Sequence, residues 1–215
     1  MLYLDCSHGI AGDMFVGSLI DLGASFENIH EKLSHIASLK AEKVDKAGVS
    51  ATRFIVDFPM DQAEYTELVG TVKSIGLSEN SESTALSILE KLAEAESRAH
   101  GVSLDEVHLH EAADSMVDAA ASALALEDLG LLDAGIITSP VSLGFTAPAT
   151  QEIISKYSIP SKKISDKEIT TPTGAAIVAA ISEGFQEEFP SGGNEGFGAG
   201  EMDLPYPNVF RAIVC

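Results

Sequence analysis

Residues 107–118 concentrate side chains that can bind a metal ion or move a proton. If the first part of this stretch is extended, His108 and His110 project from the same face, because side chains alternate along a strand with period two. A helix predicted to begin near Asp114 places Asp114 and Asp118 on one side, four residues apart. Two imidazoles and two carboxylates could therefore converge where the strand meets the helix.

A structural interpretation of the same residues remains open. Asp114 is a good helix N-cap, and Asp118 suits the positive end of the helix dipole. Exposed histidines on a short strand need no ligand. The spacing is neither a closed zinc pattern nor the His-Glu-x-x-His arrangement, so spacing alone names no metal.

The N-terminal residues 2–14 read as a buried strand, a turn with two glycines and a helix start. Gly9 and Gly12 would let backbone N–H groups approach a ligand, and the first turn of a helix supplies unpaired donors for a phosphate. The segment is neither a Walker A loop nor a dinucleotide fingerprint. A tight turn explains the glycines equally well, Asp13 also fits as an N-terminal helix charge, and Cys6 also fits as a small buried residue.

A second candidate anion site is Thr170-Thr171-Pro172-Thr173-Gly174, which precedes an apolar segment. The hydroxyl groups of Thr171 and Thr173 and the free N–H groups of a helix start could hold an anion. A threonine cap followed by proline in the first turn is the structural alternative.

The composition bounds the class of protein. A net charge of −20 in 215 residues disfavours nucleic acid and anionic membrane surfaces and favours a cation or a small anionic substrate with local donors. The apolar runs are too short for a membrane span, and no signal peptide is recognised. Two cysteines argue against a disulfide framework. We therefore expect a soluble, cytoplasmic protein.

The elements that must position these residues alternate between helix and strand, which predicts an α/β fold with a layered mixed sheet and flanking helices; α+β is the alternative. We expect lobes at 1–78 and 79–215, with Ser78–Ser83 as linker, or else a single domain.

Gly196–Gly200 is predicted to be a flexible loop, and pairing of the last strand should begin after Pro207. The predicted helices are 13–22, 26–37, 63–75, 83–100, 114–129, 147–157 and 174–185, and the predicted strands are 2–6, a hairpin at 40–59, 135–143, 162–164 and 209–214.

Six segments in sequence order carry a resemblance to a known family. They are Leu4-Asp5-Cys6 with Gly9, Gly12, Asp13 and Met14; Glu106 to Glu111 with Asp114, Ser115, Val117 and Asp118; Ser139-Pro140 with Leu143-Gly144; Ala147-Pro148-Ala149-Thr150; Thr170 to Ala175; and Gly198-Ala199-Gly200 with Asp203, Pro207, Asn208 and Arg211. Together they resemble the N-terminal domain of the LarC-type nickel-insertion family, the cyclometallases that make the nickel-pincer nucleotide cofactor of lactate racemase.

The resemblance implies insertion of nickel into pyridinium-3,5-bisthiocarboxylic acid mononucleotide with consumption of CTP. That reaction needs ligands for Ni(II), a base for the ring C–H proton and donors for a phosphate. We assign His108, His110 and Asp114 to the metal, and Glu111 and Asp118 to catalysis. The cofactor-binding candidates are Gly9, Gly12, Asp13, Thr171 and Thr173.

Two departures from the family pattern affect these expectations. The connections after Glu111 and after Phe145 are shorter than in the family, either because the loops are shortened or because residues are missing from the sequence. The family also commonly continues beyond the position of Cys215 into a domain associated with CTP. CTP, with Mg or Mn, is therefore expected on a C-terminal domain outside this sequence. That domain, or a second copy of the chain, is the expected protein partner.

Two other functions remain open beside nickel insertion. The chain could be a divalent-metal, nickel-delivering module without catalysis of its own. It could also be a nucleotide-binding structural domain in which the histidines and aspartates only cap and pack.

Overall fold

The computed structural model describes residues 1–57, 62–110 and 112–215, and within these the side chains of residues 62, 110, 112 and 113 are left out. The strands are β1 Leu2–Asp5, β2 Ser38–Lys46, β3 Val49–Asp57, β4 Gln62–Glu64, β5 His108–His110, β6 Ile136–Thr138, β7 Val141–Leu143, β8 Ser161–Lys163, β9 Gly184–Phe185, β10 Asn194–Ala199 and β11 Val209–Val214. The helices are α1 Gly12–Asp21, α2 Phe26–Leu33, α3 Tyr65–Ser74, α4 Glu79–His100, α5 Ala112–Asp128, α6 Pro148–Lys156 and α7 Pro172–Ile181, with a 3-10 helix at Leu104–Glu106.

The sheet is built around β1, whose four residues are all buried. Within the described residues it has seven strands in the order β2-β3-β10-β11-β1-β6-β9. β1 pairs antiparallel with β11 and parallel with β6. The sheet is therefore mixed, and the predicted α/β class is confirmed. Strands from both sides of residue 78 contribute to it.

Helix α1 lies against β3, β10 and β11 at very short range, and glycines make this approach possible. A Cβ atom on Gly198 would lie 1.7 Å from the carbonyl oxygen of Met14, and one on Gly196 would lie 2.2 Å from that of Ser18. On the helix, a Cβ on Gly17 would lie 2.4 Å from the Thr52 carbonyl oxygen. The prediction of a flexible loop at Gly196–Gly200 was wrong: Gly196 and Gly198 belong to β10, which Gly200 directly follows, and they indicate close packing rather than mobility.

The predicted β-hairpin is confirmed in β2 and β3, which turn at Ala47 and Gly48 with φ of 53° and 90°. The last strand also begins after Pro207, at Val209, as predicted. The proposed linker at Ser78–Ser83 was wrong. The Ser78 hydroxyl accepts a hydrogen bond from the Ser81 N–H and begins α4, so most of this polar segment is the first turn of a helix.

Several element boundaries differ from the prediction. The strand expected at 135–143 is divided at Pro140 into β6 and β7, which belong to different sheets. The helix expected at 63–75 is preceded by β4, and the one expected at 174–185 ends at Ile181 before β9. The two helix predictions each included a short neighbouring strand, because short apolar runs do not distinguish helix from strand.

The remaining helices pack behind α1. Helix α1 contacts α5 and α7, and α4 contacts α5, α6 and α7. Alanines on α5 and α7, such as Ala119, Ala123 and Ala176, are fully buried, and small side chains allow neighbouring helices to approach closely. This arrangement brings the first turns of α1, α5 and α7 together. In the described part of the chain, no helix combines the length and apolar character needed to cross a membrane.

Candidate functional site

Helices α1 and α7 begin side by side because their preceding loops are joined. Ile10 and Thr170 form a parallel bridge, and the Thr171 N–H donates to the Ile10 carbonyl oxygen at 3.0 Å. Gly9 adopts φ +90°, and a Cβ there would lie 1.8 Å from the Ile169 carbonyl oxygen. Only glycine tolerates both conditions. The two loops predicted independently as phosphate sites therefore form one structure.

Helix α5 joins the same corner through two contacts. The hydroxyl groups of Ser115 and Thr173 are 2.8 Å apart and hydrogen bonded. Gly12, at the start of α1, faces the Asp118 side chain so closely that a Cβ would lie 2.2 Å from Oδ2. The first turns of all three helices are thus fixed relative to one another.

A cleft of about 460 Å³ opens at this corner. It is lined from the three helix starts, from β3, from α4 and from the loops flanking β10 and α7. The lining residues are Ala11, Gly12, Asp13, Met14, Arg53, Phe54, Ile55, Val56, Leu92, Glu96, Asp114, Ser115, Asp118, Glu168, Ile169, Thr171, Pro172, Thr173, Gly200, Glu201, Met202 and Asn208.

Burial perturbs two carboxyl groups in the cleft. Asp118 is only 7% exposed, and its Oδ1 has no hydrogen-bond partner among the described residues. Burial raises the pKa of Asp118 well above its usual range, and the charges of Asp13 and Asp114 raise it further. Burial also raises the pKa of Asp13 to about 6, against the opposing effects of the Met14 N–H and Arg53. Carboxyl groups with pKa values raised by burial in a cleft are typical of functional sites.

The cleft collects most of the candidate residues taken from the sequence. Gly12, Asp13, Asp114, Asp118, Thr171 and Thr173 all line it. Gly9 lies in the turn behind it, packed on Ile169. Three separate sequence segments therefore supply one cavity.

The histidines are placed differently. His108 is exposed on β5, opposite Glu64 of β4, and is not among the lining residues. The backbone of His110 pairs with Gln62, while its side chain and the whole of Glu111 lie outside the described residues. Within the part that is described, no three His, Cys, Asp or Glu side chains are grouped to hold a metal ion. The metal assignment to His108, His110 and Asp114 stays a prediction.

The structural interpretations are partly confirmed. Thr171 caps α7 by accepting the Gly174 N–H at 3.1 Å, with Pro172 in the first turn. Asp114, by contrast, is not an N-cap, because α5 begins two residues earlier at Ala112. Cys6 is fully buried, and burial raises the pKa of its thiol, so this residue packs as a small apolar side chain.

Sequence reasoning missed several lining residues, namely Arg53, Glu96, Glu168 and Glu201. They come from β3, α4 and two loops, and no local spacing connects them. Only Glu168 offered a signal, because it directly precedes the Ile169-Thr170-Thr171 segment.

The fold and the site define an α/β protein with a polar, carboxylate-lined cleft at the starts of three helices. The chain belongs to the nickel insertion protein family, whose model matches residues 2–215.

Two relatives show the same relationship. The chain is 35% identical to the pyridinium-3,5-bisthiocarboxylic acid mononucleotide nickel insertion protein of Staphylococcus saprophyticus, over 99% of this chain and 59% of the relative. It is likewise 35% identical to the protein of that name from Geobacillus kaustophilus, over 100% of this chain and 59% of the relative. The chain thus spans about three fifths of these relatives. No solved structure matches the chain.

Proposed function

We propose that this chain carries the nickel- and nucleotide-handling part of an enzyme that inserts nickel into pyridinium-3,5-bisthiocarboxylic acid mononucleotide. The observation that carries the proposal is the cleft in which three helix starts meet the buried carboxyl group of Asp118. Membership of the nickel insertion protein family and the names of the relatives support this substrate and this metal.

The start of α7 is the favoured position for the substrate phosphate. Its first turn consists of Pro172, Thr173 and Gly174 and carries no acidic side chain. The Thr171 oxygen accepts the Gly174 N–H, which leaves the Thr171 hydroxyl proton available for a ligand. A helix N-terminus also favours an anion through its dipole.

The start of α1 is the second part of the nucleotide site. Gly9 and Gly12 would serve the site by letting this turn pack closely against Ile169 and Asp118. Ala11 at the N-cap has no side-chain oxygen that could satisfy the first N–H groups. Asp13 lies beside these donors, and a bound cation would favour its ionised form.

Asp118 is the better-supported base for the ring C–H proton. A carboxylate with a raised pKa binds a proton more strongly than an ordinary one, and a nearby Ni(II) ion would shift it toward its ionised form. Glu111 is the second candidate from sequence. His108, His110 and Asp114 provide the nitrogen and oxygen donors that a borderline ion such as Ni(II) accepts.

The remaining parts of the proposal follow from the family resemblance. The reaction is a cyclometallation, in the lyase class, and consumes CTP, which is held with Mg or Mn on a C-terminal domain that acts as partner. Homo-oligomer formation is the alternative partnership. The free thiols of Cys6 and Cys215 fit a cytoplasmic location.

The test combines activity and metal binding. The chain is assayed with Ni(II), CTP with Mg²⁺ and the thiolated mononucleotide, with and without a C-terminal partner chain, and the nickel-bound product is detected by mass spectrometry. Asp118→Asn should lower the rate about 100-fold or more, because the base is lost. Asp133→Asn, at an exposed turn position, is the matched control and should retain activity.

Calorimetric titration with Ni(II) separates the competing functions. The His108→Ala/His110→Ala double variant should bind Ni(II) more weakly than wild type. Equal binding by both would reject the metal assignment. Tight Ni(II) binding without product, even with the partner present, would leave a metal-delivery module instead.

A further inference from the structure

Arg53 is the one basic side chain among the described residues that line the cleft. The other ionisable lining residues are all acidic: Asp13, Glu96, Asp114, Asp118, Glu168 and Glu201. An anionic ligand that enters this cleft is therefore repelled by most of its charged groups. Arg53 supplies the opposing side-chain charge.

The position of Arg53 is well defined by its backbone. The residue lies within β3, which pairs along its length with β2, and Thr52 next to it pairs with Gly198 of β10. Arg53 lines the cleft together with Asp13 of α1, and its charge lowers the pKa of that carboxyl group against the larger effect of burial. A strand between two neighbours holds a binding side chain more rigidly than a loop does.

Among the described residues, the guanidinium group is only weakly engaged. In the described structure its ion pair is with Glu201, at 3.5 Å between Nη2 and Oε1, and the Glu201 side chain is 84% exposed. An exposed ion pair of this kind contributes little to stability, so exchanging Glu201 for a ligand costs little. The planar fork of arginine matches the two oxygens of a carboxylate or a phosphate.

We propose that Arg53 is a specificity-determining residue that binds an anionic group of the nucleotide substrate, the phosphate or a ring thiocarboxylate, in exchange for Glu201. The assignment rests on the proposed function in one respect, namely that the cleft accepts a pyridinium mononucleotide. It explains how a cleft lined by so many carboxyl groups can accept a ligand of the same sign of charge.

Calorimetry with three stable analogues tests the assignment. Nicotinic acid mononucleotide carries a phosphate and a carboxylate, nicotinamide mononucleotide only the phosphate, and nicotinic acid riboside only the carboxylate. Arg53→Gln should weaken binding of nicotinic acid mononucleotide at least 10-fold, and Arg53→Lys should restore only part of it, because lysine lacks the fork. Arg98→Gln, at an exposed position of α4, is the matched control and should bind as wild type does.

A second variant distinguishes binding from a structural role. Glu201→Gln removes the competitor of the ligand, so it should bind nicotinic acid mononucleotide as tightly as wild type or more tightly. If Arg53 only supported the fold through this ion pair, Glu201→Gln would instead weaken binding as Arg53→Gln does. The two analogues with a single anionic group identify the group that Arg53 binds. Arg53→Gln should weaken nicotinamide mononucleotide if Arg53 binds the phosphate, and nicotinic acid riboside if it binds the ring substituent.

The outcomes separate this assignment from the proposed function. Unchanged affinity in Arg53→Gln, or no binding of any analogue to wild type, overturns the role of Arg53. If wild type forms product and Arg53→Gln shows an unchanged KM for the mononucleotide substrate, the role of Arg53 is also rejected. Nickel insertion is supported in that case. If the analogues bind in a way that depends on Arg53 but wild type forms no product, the binding role of Arg53 is supported and nickel insertion is rejected.

Discussion

Asp13→Asn should make the protein more stable above pH 7 and leave its stability nearly unchanged near pH 4. The folded protein raises the pKa of Asp13 from 3.8 to about 6. Because the folded-state value is the higher one, this carboxyl group contributes stability that is complete below pH 4, is lost as pH rises through 6, and stays lost above. Asparagine carries no charge and keeps an oxygen that can accept the Met14 N–H, which Asp13 Oδ1 accepts at 2.8 Å.

The magnitude follows from the shift. About two pKa units correspond to about 3 kcal/mol, and partial exposure of Asp13 reduces this to about 2 kcal/mol. Removing the Asp13 charge also removes one cause of the raised pKa of Asp118, which adds a contribution of the same sign. The free energy of unfolding of Asp13→Asn minus that of wild type should therefore grow from well under about 1 kcal/mol at pH 4 to about 2 kcal/mol at pH 8.

Urea unfolding at pH values from 4 to 8 measures this difference directly. Asp133→Asn removes an exposed carboxylate and should show no comparable dependence on pH. A difference for Asp13→Asn that does not change with pH, or a variant less stable than wild type at pH 8, would refute the reasoning about the cleft.

Two further predictions concern the packing that forms the cleft. Gly198→Ala should destabilise the protein by about 3 kcal/mol or more, because its Cβ would lie 1.7 Å from the backbone oxygen of Met14. Gly70→Ala, where a Cβ has open space inside α3, is the control and should raise the unfolding midpoint in urea slightly. Ser115→Ala removes the 2.8 Å hydrogen bond to Thr173 and should cost about 1 kcal/mol in urea unfolding. No loss of stability in Ser115→Ala would show that α5 and α7 hold their positions without this bond.

The sequence predicted the elements with strong local signals. The long apolar helices, the Ala47-Gly48 hairpin and the terminal strand are determined mainly by residues close to one another in the chain. β10 was missed because its Gly196 and Gly198 are unfavourable in an isolated strand. They are explained only by α1, a distant element that occupies the space of their side chains.

The residues of the candidate site likewise divide into those with a local sequence pattern and those that distant residues bring together. Helix-start chemistry identified Asp13 and Thr171, because caps and first turns have local sequence patterns, and the four-residue spacing from Asp114 identified Asp118. Arg53 could not be found in this way, since its importance comes from the acidic residues that surround it in space. The convergence of His108 with Asp118 was drawn from local geometry alone, and the described structure places His108 on an exposed strand.

The pairing of β1 with β11 has a consequence for how the protein folds. β1 has its antiparallel neighbour in β11, where Arg211 donates a hydrogen bond to Asp5 across a separation of 206 residues. Contacts between residues so distant in the chain close large loops and form slowly. During synthesis, β1 therefore lacks this neighbour until residues 209–214 have emerged. Helix α1, which rests on β10 and β11, cannot take its final place before then, so the cleft cannot be complete until both strands have formed.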